Sequence, residues 1–236
     1  MGSCLLTNRS IIGQGYKYAY YQLDYIESSG SQYINTTYVV PARITGTSIT
    51  MNFMLTDTNI DKALFGYYSS STSQAIVKTG SSAFLSRYIY LYWRNEVIDT
   101  SDLGNLNLNQ QYLFETNLSY WKRNMSIDDI KYVESNNSMV NGSHSVPMYL
   151  FAYNNNGTAA GFSTIRLYSA SLYNISQGLS DDDELTLQYS WVPAIRSSDN
   201  KTGLWATNTS EFFPNEGSTE FSYGEILNGL GDLIQA

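Results

Sequence analysis

The clearest strand pattern in this sequence is SITMNFML, Ser48–Leu55, in which polar and apolar residues alternate almost strictly. A period of two places every second side chain on the same face, as a strand with one buried face requires. Similar patterns recur along the chain, separated by clusters of Gly, Asn, Asp and Ser such as Asn154–Gly157. The other main predicted strands are Tyr16–Tyr20, Gln32–Thr37, Ala63–Tyr68, Ala75–Lys78, Tyr88–Arg94, Tyr112–Tyr120, Lys122–Ile127, Met148–Tyr153, Gly161–Tyr173, Leu187–Ile195, Gly203–Trp205 and Phe212–Phe213. Many short strands separated by turns indicate an all-β sandwich or barrel.

The composition of the chain also favours strands. Of its 236 residues, 14% are aromatic and 14% are charged, and 21 are tyrosine. Aromatic side chains suit a pleated surface, and the charged fraction is well below the usual quarter or so. The net charge of −8 would repel a phosphate backbone, so we expect no nucleic-acid partner. No stretch has the roughly 20 apolar residues that a membrane span needs, so we expect no membrane partner either.

The N-terminal segment is interpreted as an extended arm covering residues 1–20. It carries two apolar pairs, Leu5-Leu6 and Ile11-Ile12, among polar residues and glycines. Either it is a frayed terminus or a partner orders it. Its start lacks the charge and the long apolar run of a signal peptide, and Cys4, the only cysteine, cannot form an intrachain disulfide. We therefore expect a protein made in the cytoplasm.

Two segments have helical patterns. Ser180–Glu184 combines a capping serine with acidic residues in the first turn. In the tail, apolar residues stand at helical spacing, although two glycines there would each cost about 1 kcal/mol. These apolar residues are Ile226, Leu227, Leu230, Leu233 and Ile234. A marginal helix of this kind needs a surface to pack on, either its own sandwich or another subunit.

No catalytic, cofactor or metal site emerges from the sequence. His144 is the only histidine, and the acids cluster in turns, whereas a glycosidase needs two acids facing each other at about 5–10 Å. Asp57–Asp61 resembles the start of a calcium loop but lacks its glycine and its distal glutamate, so we interpret it as an Asx-rich turn. We therefore expect a protein that is not an enzyme.

The aromatic residues are the remaining candidates for a function. All four tryptophans, Trp93, Trp121, Trp191 and Trp205, lie within or at the end of apolar strands, which favours core packing. The abundance of tyrosine suits either a sugar-binding surface or a protein interface, where a rigid ring gives a large contact area at low entropic cost. The sequence leaves these two uses open.

The stretch Leu23–Thr36, LDYIESSGSQYINT, and several later stretches together resemble one known family, the laminin G-like, concanavalin A-like domains of phage and gut-bacterial proteins. Leu23–Thr36 is similar to the family's opening YIESTGTQYIDTG, and the other matching stretches are Tyr149–Gly157, Phe162–Tyr168, Trp191–Asn200, Thr202–Trp205 and Pro214–Phe221. Leu64-Phe65-Gly66 fits the family's LFGAR, but Tyr67-Tyr68 replace the usual Ala-Arg. The resemblance covers about residues 22–224. It implies a two-sheet antiparallel jelly roll, often on phage structural proteins, and does not fix a ligand.

Together these observations predict an N-terminal arm (1–20), a concanavalin A-like β-sandwich (21–224) and a C-terminal docking tail (225–236). The leading hypothesis is a bacteriophage virion structural protein, a head decoration, head-fibre or tail component, located in the virion. Its partners would be other virion proteins and copies of itself; displayed phage proteins are often trimers, although no symmetry signal is present. The candidate assembly residues are Leu5, Leu6, Ile11, Ile12, Ile226, Leu227 and Leu230. The alternative is a non-catalytic module that binds bacterial-surface or mucin glycans.

Overall fold

Two β-sheets packed face to face make up the fold. The computed structural model describes residues 16–40, 46–58, 61–71, 73–81, 87–93, 96–99, 106–118, 123–135, 145–176 and 184–235. These residues contain strands and turns but no helix. The predicted all-β, two-sheet sandwich is therefore confirmed. None of the described residues forms a helix long and apolar enough to cross a bilayer.

In the described part of the chain, twelve strands form the first sheet and eight form the second. The first sheet contains β1 (Tyr16–Leu23), β2 (Ile26–Glu27), β4 (Gly46–Leu55), β9 (Gln111–Leu118), β10 (Arg123–Ile127), β11 (Ile130–Ser135), β15 (Ile165–Ser176), β16 (Glu184–Arg196), β17 (Thr202–Ala206), β18 (Glu211–Pro214), β19 (Ser222–Tyr223) and β20 (Ile226–Gln235). The second contains β3 (Ile34–Asn35), β5 (Ala63–Ser70), β6 (Ser73–Ser81), β7 (Arg87–Trp93), β8 (Glu96–Asp99), β12 (Tyr149–Leu150), β13 (Tyr153–Asn155) and β14 (Thr158–Ala160).

The strand order shows how distant segments meet. The first sheet runs β11-β10-β9-β4-β15-β16-β1-β20, and the second runs β14-β13-β5-β6-β7-β8. Among the named strands, pairing is antiparallel except between β5 and β13, which run parallel. The central strands of the first sheet, β4 and β15, are joined along nearly their whole length, from Ile165↔Leu55 to Ile175↔Gly46.

The core lies between the sheets and follows the predicted alternation. In β4, Met51, Phe53 and Leu55 are buried, whereas Asn52 and Met54 are partly exposed. Aromatic rings cross from one sheet to the other; the Phe65 ring of β5 lies 6.1 Å from the Phe114 ring of β9. Because an aromatic pair in contact adds about 0.5–1.5 kcal/mol beyond its area burial, these rings help fix how the sheets stack.

Turn chemistry explains why the hairpins close where they do. Asn156 and Gly157 have φ values of 50° and 95° and link β13 to β14 through the pair Asn155↔Thr158. Positive φ at both central residues is the two-residue hairpin geometry that Asn-Gly favours. Asp128 and Asp129, with φ values of 51° and 65°, link β10 to β11 in the same way.

The predicted tail helix is wrong, because residues 226–235 form strand β20. This strand pairs antiparallel with β1, from Tyr16↔Gln235 to Leu23↔Ile226. The apolar spacing of a short segment suits either structure, and the partner strand lies some 200 residues away in sequence, where local periodicity gives no information. Of the two packing surfaces considered, the tail uses its own sandwich.

The predicted arm overlaps the sheet. Its last five residues, 16–20, belong to β1, which pairs with β16 as well as β20. Residues 1–15 lie outside the described part of the chain, and so do residues 180–183 of the second predicted helix. The last residue of that helix prediction, Glu184, begins β16.

Candidate functional site

The outer face of the second sheet carries a group of tyrosines around one lysine. In β6, Ala75 and Val77 are fully buried in the core, so the alternate residues Gln74 and Lys78 point outward. In β5, Tyr67 is buried and Tyr68 is partly exposed. The strand register then places Tyr68 opposite Gln74, and Ile76 opposite Tyr92 of β7. The parallel strand β13 brings Asn155 beside Tyr68.

These side chains line an open pocket of about 300 Å³. Its described lining consists of Tyr68, Gln74, Ile76, Lys78, Tyr92, Tyr153 and Asn155. That volume is at the lower end of the usual range for small-molecule sites. The pocket therefore has room for a short ligand segment, and its lining combines aromatic surface with amide and ammonium groups.

Gly66 lies opposite the pocket-lining residue Ile76 and lets β5 and β6 pair closely there. Its φ of +149° is unfavourable for other residues, and a Cβ there would lie 2.3 Å from the carbonyl oxygen of Ala75. A larger residue at this position would force β5 and β6 apart. Ile76, on the adjacent strand, forms an apolar part of the lining and is only 4% exposed.

Lys78 lies between two aromatic rings. Its Nζ is 5.5 Å from the centre of the Tyr92 ring and 5.3 Å from the centre of the Tyr153 ring. Both distances are within the range of cation–π attraction. The two rings belong to β7 and β13, which flank the β5–β6 pair. The lysine therefore connects the two sides of the pocket.

The chemistry of this face suits a ligand with both flat apolar patches and hydroxyl groups. Tyrosine rings offer apolar faces with a polar hydroxyl at the tip. Gln74 and Asn155 carry amides, which both donate and accept hydrogen bonds. Saccharides have this mixed character.

The predicted assembly residues lie elsewhere. Ile226 and Leu227 of β20 are 41% and 48% exposed, and Leu230 is half-buried. All three are in the first sheet, whereas the pocket is on the second. Leu5, Leu6, Ile11 and Ile12 lie outside the described residues. An assembly role for these seven residues stays a prediction.

The predicted core packing of the tryptophans is confirmed where the side chains are described. Trp191 is 1% exposed and Trp205 is 7% exposed. Trp121, the side chain of Trp93, Cys4 and His144 lie outside the described residues. In the part of the chain that the structure describes, no three His, Cys, Asp or Glu side chains are grouped as a metal site would need. Of the calcium-like stretch, residues 59 and 60 are outside the description.

Residues in the stretches that resemble the family serve the fold. The Asn154 side chain is fully buried, accepts a hydrogen bond from Gly157 N at 2.6 Å and donates one to Pro147 O at 2.9 Å. Asp199 accepts two hydrogen bonds from the Arg196 guanidinium, at 2.9 and 2.7 Å. Those bonds lower the pKa of the Asp199 carboxyl to about 2. Both side chains hold turns in place.

Sequence reasoning missed the pocket residues as a group. One local signal was available, because Tyr68 stands where the resembling family has arginine, next to the matching Leu64-Phe65-Gly66. The outward positions of β6 could not be predicted from its sequence, because Ala75, Ile76 and Val77 are three consecutive apolar residues. The contribution of Asn155 and Tyr153 to the pocket could not be predicted from the sequence either, since it depends on the parallel pairing of β13 with β5.

Comparisons with known proteins support the fold. No protein-family model matches the chain, and no curated protein matches it in sequence. A solved structure titled a "putative carbohydrate binding protein" from Bacteroides ovatus ATCC 8483 is similar, with a TM-score of 0.58 and 11% identity. The similarity covers 86% of this chain but only 61% of that one. A native heptameric SAP-like pentraxin from Limulus polyphemus aligns with a TM-score of 0.49 and 9% identity, over 81% of this chain and 96% of the pentraxin.

Proposed function

We propose that this chain is a carbohydrate-binding domain and that the tyrosine-lined pocket on its second sheet is the binding site. The observation that carries the proposal is the grouping of Tyr68, Tyr92 and Tyr153 around an open pocket edged by amide side chains. Ring faces can stack on the apolar side of a sugar, and the amides can bond its hydroxyls. The fold agrees, since the Bacteroides ovatus protein of similar fold is described as a "putative carbohydrate binding protein".

The binding is proposed to be non-catalytic. Hydrolysis of a glycosidic bond by the usual route needs two carboxyl groups facing each other across the sugar. None of the pocket-lining residues that the structure describes is Asp or Glu. The pocket residues therefore supply contact surface and hydrogen bonds.

The experiment is a glycan array followed by calorimetric titration of the best-bound glycan. Wild-type protein is expected to bind saturably, and Tyr68→Ala to bind roughly tenfold more weakly, because a stacking ring contributes about 1 kcal/mol or more. Tyr223→Ala is the matched control, since Tyr223 is an exposed tyrosine (44%) on β19 of the other sheet. An array without saturable binding, or equal losses in both variants, would contradict the proposal.

The virion role stays a prediction that the comparisons do not support. One structural feature is compatible with it, namely that Tyr16 and Gln235 pair at the same end of β1 and β20. The chain segment that precedes β1 would therefore leave the sandwich beside the end of β20. A displayed sandwich attached there would keep its second sheet available for a glycan, so the two roles are compatible.

A further inference from the structure

Lys78 is the only charged side chain in the described lining of the pocket. The other lining residues are three tyrosines, two amides and an isoleucine. The lysine is half-buried, and it forms no ion pair with any acid that the structure describes. A neutral hydroxyl-binding pocket needs no cation, so the presence of one requires an explanation.

Packing explains the position of the lysine but not its charge. Its stem covers the sheet between the Tyr92 and Tyr153 rings, a role that methionine could fill equally well. The two rings attract the ammonium and limit its movement. Unlike a carboxylate, the rings accept no strong hydrogen bond from the N–H groups of the ammonium. An ammonium held in this way is ready to bind an anion with little loss of side-chain entropy.

The charge of the whole chain makes this position unusual. With a net charge of −8, the molecule as a whole repels anions. The described lining of the pocket has the opposite sign, because Lys78 is its only charged side chain. A single cation can therefore make this site prefer anionic ligands over neutral ones.

We infer that the pocket binds anionic saccharides, with a carboxylate or sulfate group on Lys78 and the sugar ring against the surrounding tyrosines. This inference rests on the proposed carbohydrate-binding function and names its ligand class. Charge-assisted hydrogen bonds are about twice as strong as neutral ones. An anionic sugar should therefore bind about tenfold more tightly than its neutral counterpart, and the preference should shrink as salt is added.

The experiment measures binding of the full chain to matched ligand pairs by titration calorimetry. The pairs are oligogalacturonate and its methyl ester, sialyllactose and lactose, and a sulfated galactose and galactose; they separate carboxylate from sulfate ligands. Three variants accompany the wild type. Lys78→Met keeps the stem and removes the charge, Lys78→Arg keeps the charge, and Lys201→Met makes the same charge change in the turn after β16. Circular dichroism melting confirms that each variant is folded.

The expected result is preferential binding of at least one anionic ligand over its partner. Lys78→Met should lose that preference while still binding the neutral sugar weakly, and Lys78→Arg and Lys201→Met should keep it. If neutral glycans bind through Tyr68 with no anionic preference, the inference is overturned and the proposed function stands. A preference that survives in Lys78→Met also overturns it. If the array and all three pairs show no binding, the proposed function and the inference are both wrong.

Discussion

Gln32 is 2% exposed, and its amide joins two distant parts of the chain. Its Oε1 accepts hydrogen bonds from the backbone N of Ser29 at 2.9 Å and of Ser31 at 3.2 Å. Its Nε2 donates to Thr219 Oγ1 at 2.7 Å and to Glu220 O at 3.1 Å. The two stretches it joins, 23–36 and 214–221, both resemble the same family. The Gln32 amide therefore ties these two stretches together.

Replacing Gln32 with leucine should lower the free energy of unfolding by about 1–3 kcal/mol, because the buried Ser28 hydroxyl, which donates to Gln32 Oε1 at 3.0 Å, and the part-buried backbone N–H groups of Ser29 and Ser31 would lose their acceptor. Equilibrium denaturation in urea measures the change. Gln188→Leu is the control, since the Gln188 side chain makes an exposed hydrogen bond on β16 and surface substitutions usually cost less than about 0.5 kcal/mol. Similar losses in the two variants would show that the Gln32 network contributes nothing special.

Individual strands follow closely from the local sequence, because side-chain alternation and turn residues act over a few positions. The predicted Ser48–Leu55 is contained in β4, and the predicted Tyr112–Tyr120 overlaps β9 (Gln111–Leu118). The tail shows where local patterns fail. Tyr18 packs on Gly229, and Tyr20 and Trp205 lie near Gly231. Gly229 and Gly231, which are unfavourable in a helix, leave room here for aromatic rings of other strands.

The substitution Gly229→Ala distinguishes a helical tail from the observed strand, because the two structures predict changes in stability of opposite sign. In a helix, alanine would stabilise the tail by about 1 kcal/mol. In the observed pairing, the new Cβ would lie 1.9 Å from Cδ2 and 2.1 Å from Cγ of Tyr18, so the ring must move. We expect destabilisation by about 1–3 kcal/mol and faster amide hydrogen exchange in β1 and β20.

The neighbouring variant Asn228→Ala is the control, because Asn228 is exposed on the same strand. It should leave both stability and exchange nearly unchanged. Stabilisation by Gly229→Ala would contradict the packing of Tyr18 on β20.

At the scale of the whole molecule, the sandwich separates two regions. The pocket lies on the second sheet, and the paired terminal strands form one edge of the first sheet's main strand order. The sandwich was predictable because many short alternating strands allow few other architectures. The pocket could not be predicted, because Tyr68 and Asn155 are distant in sequence and are brought together only by the pairing of β5 with β13. Site prediction here required the topology as well as the strands.

This separation predicts that removing residues 226–236 leaves carbohydrate binding intact. None of the β20 side chains whose burial the structure describes (226–231) belongs to the buried core cluster, and none of the pocket's described lining lies on that strand. Strand β1 would keep its register with β16 from Tyr20↔Arg196 to Gln22↔Ala194, and its Tyr20 ring would still pack 4.5 Å from the Trp205 ring. We therefore expect a lower melting temperature, one cooperative transition and an unchanged Kd for the glycan.

Calorimetry supplies the melting curve and the Kd, and light scattering of the intact and truncated chains reports on assembly. The deletion removes Ile226, Leu227 and Leu230, so a smaller assembly mass with an unchanged Kd would place self-association at the β20 edge and ligand binding at the other sheet. Equal masses would argue against the assembly role predicted for these three residues. Loss of glycan binding by a still-folded truncated chain would show that the terminal strands support the pocket, contrary to the separation of the two regions.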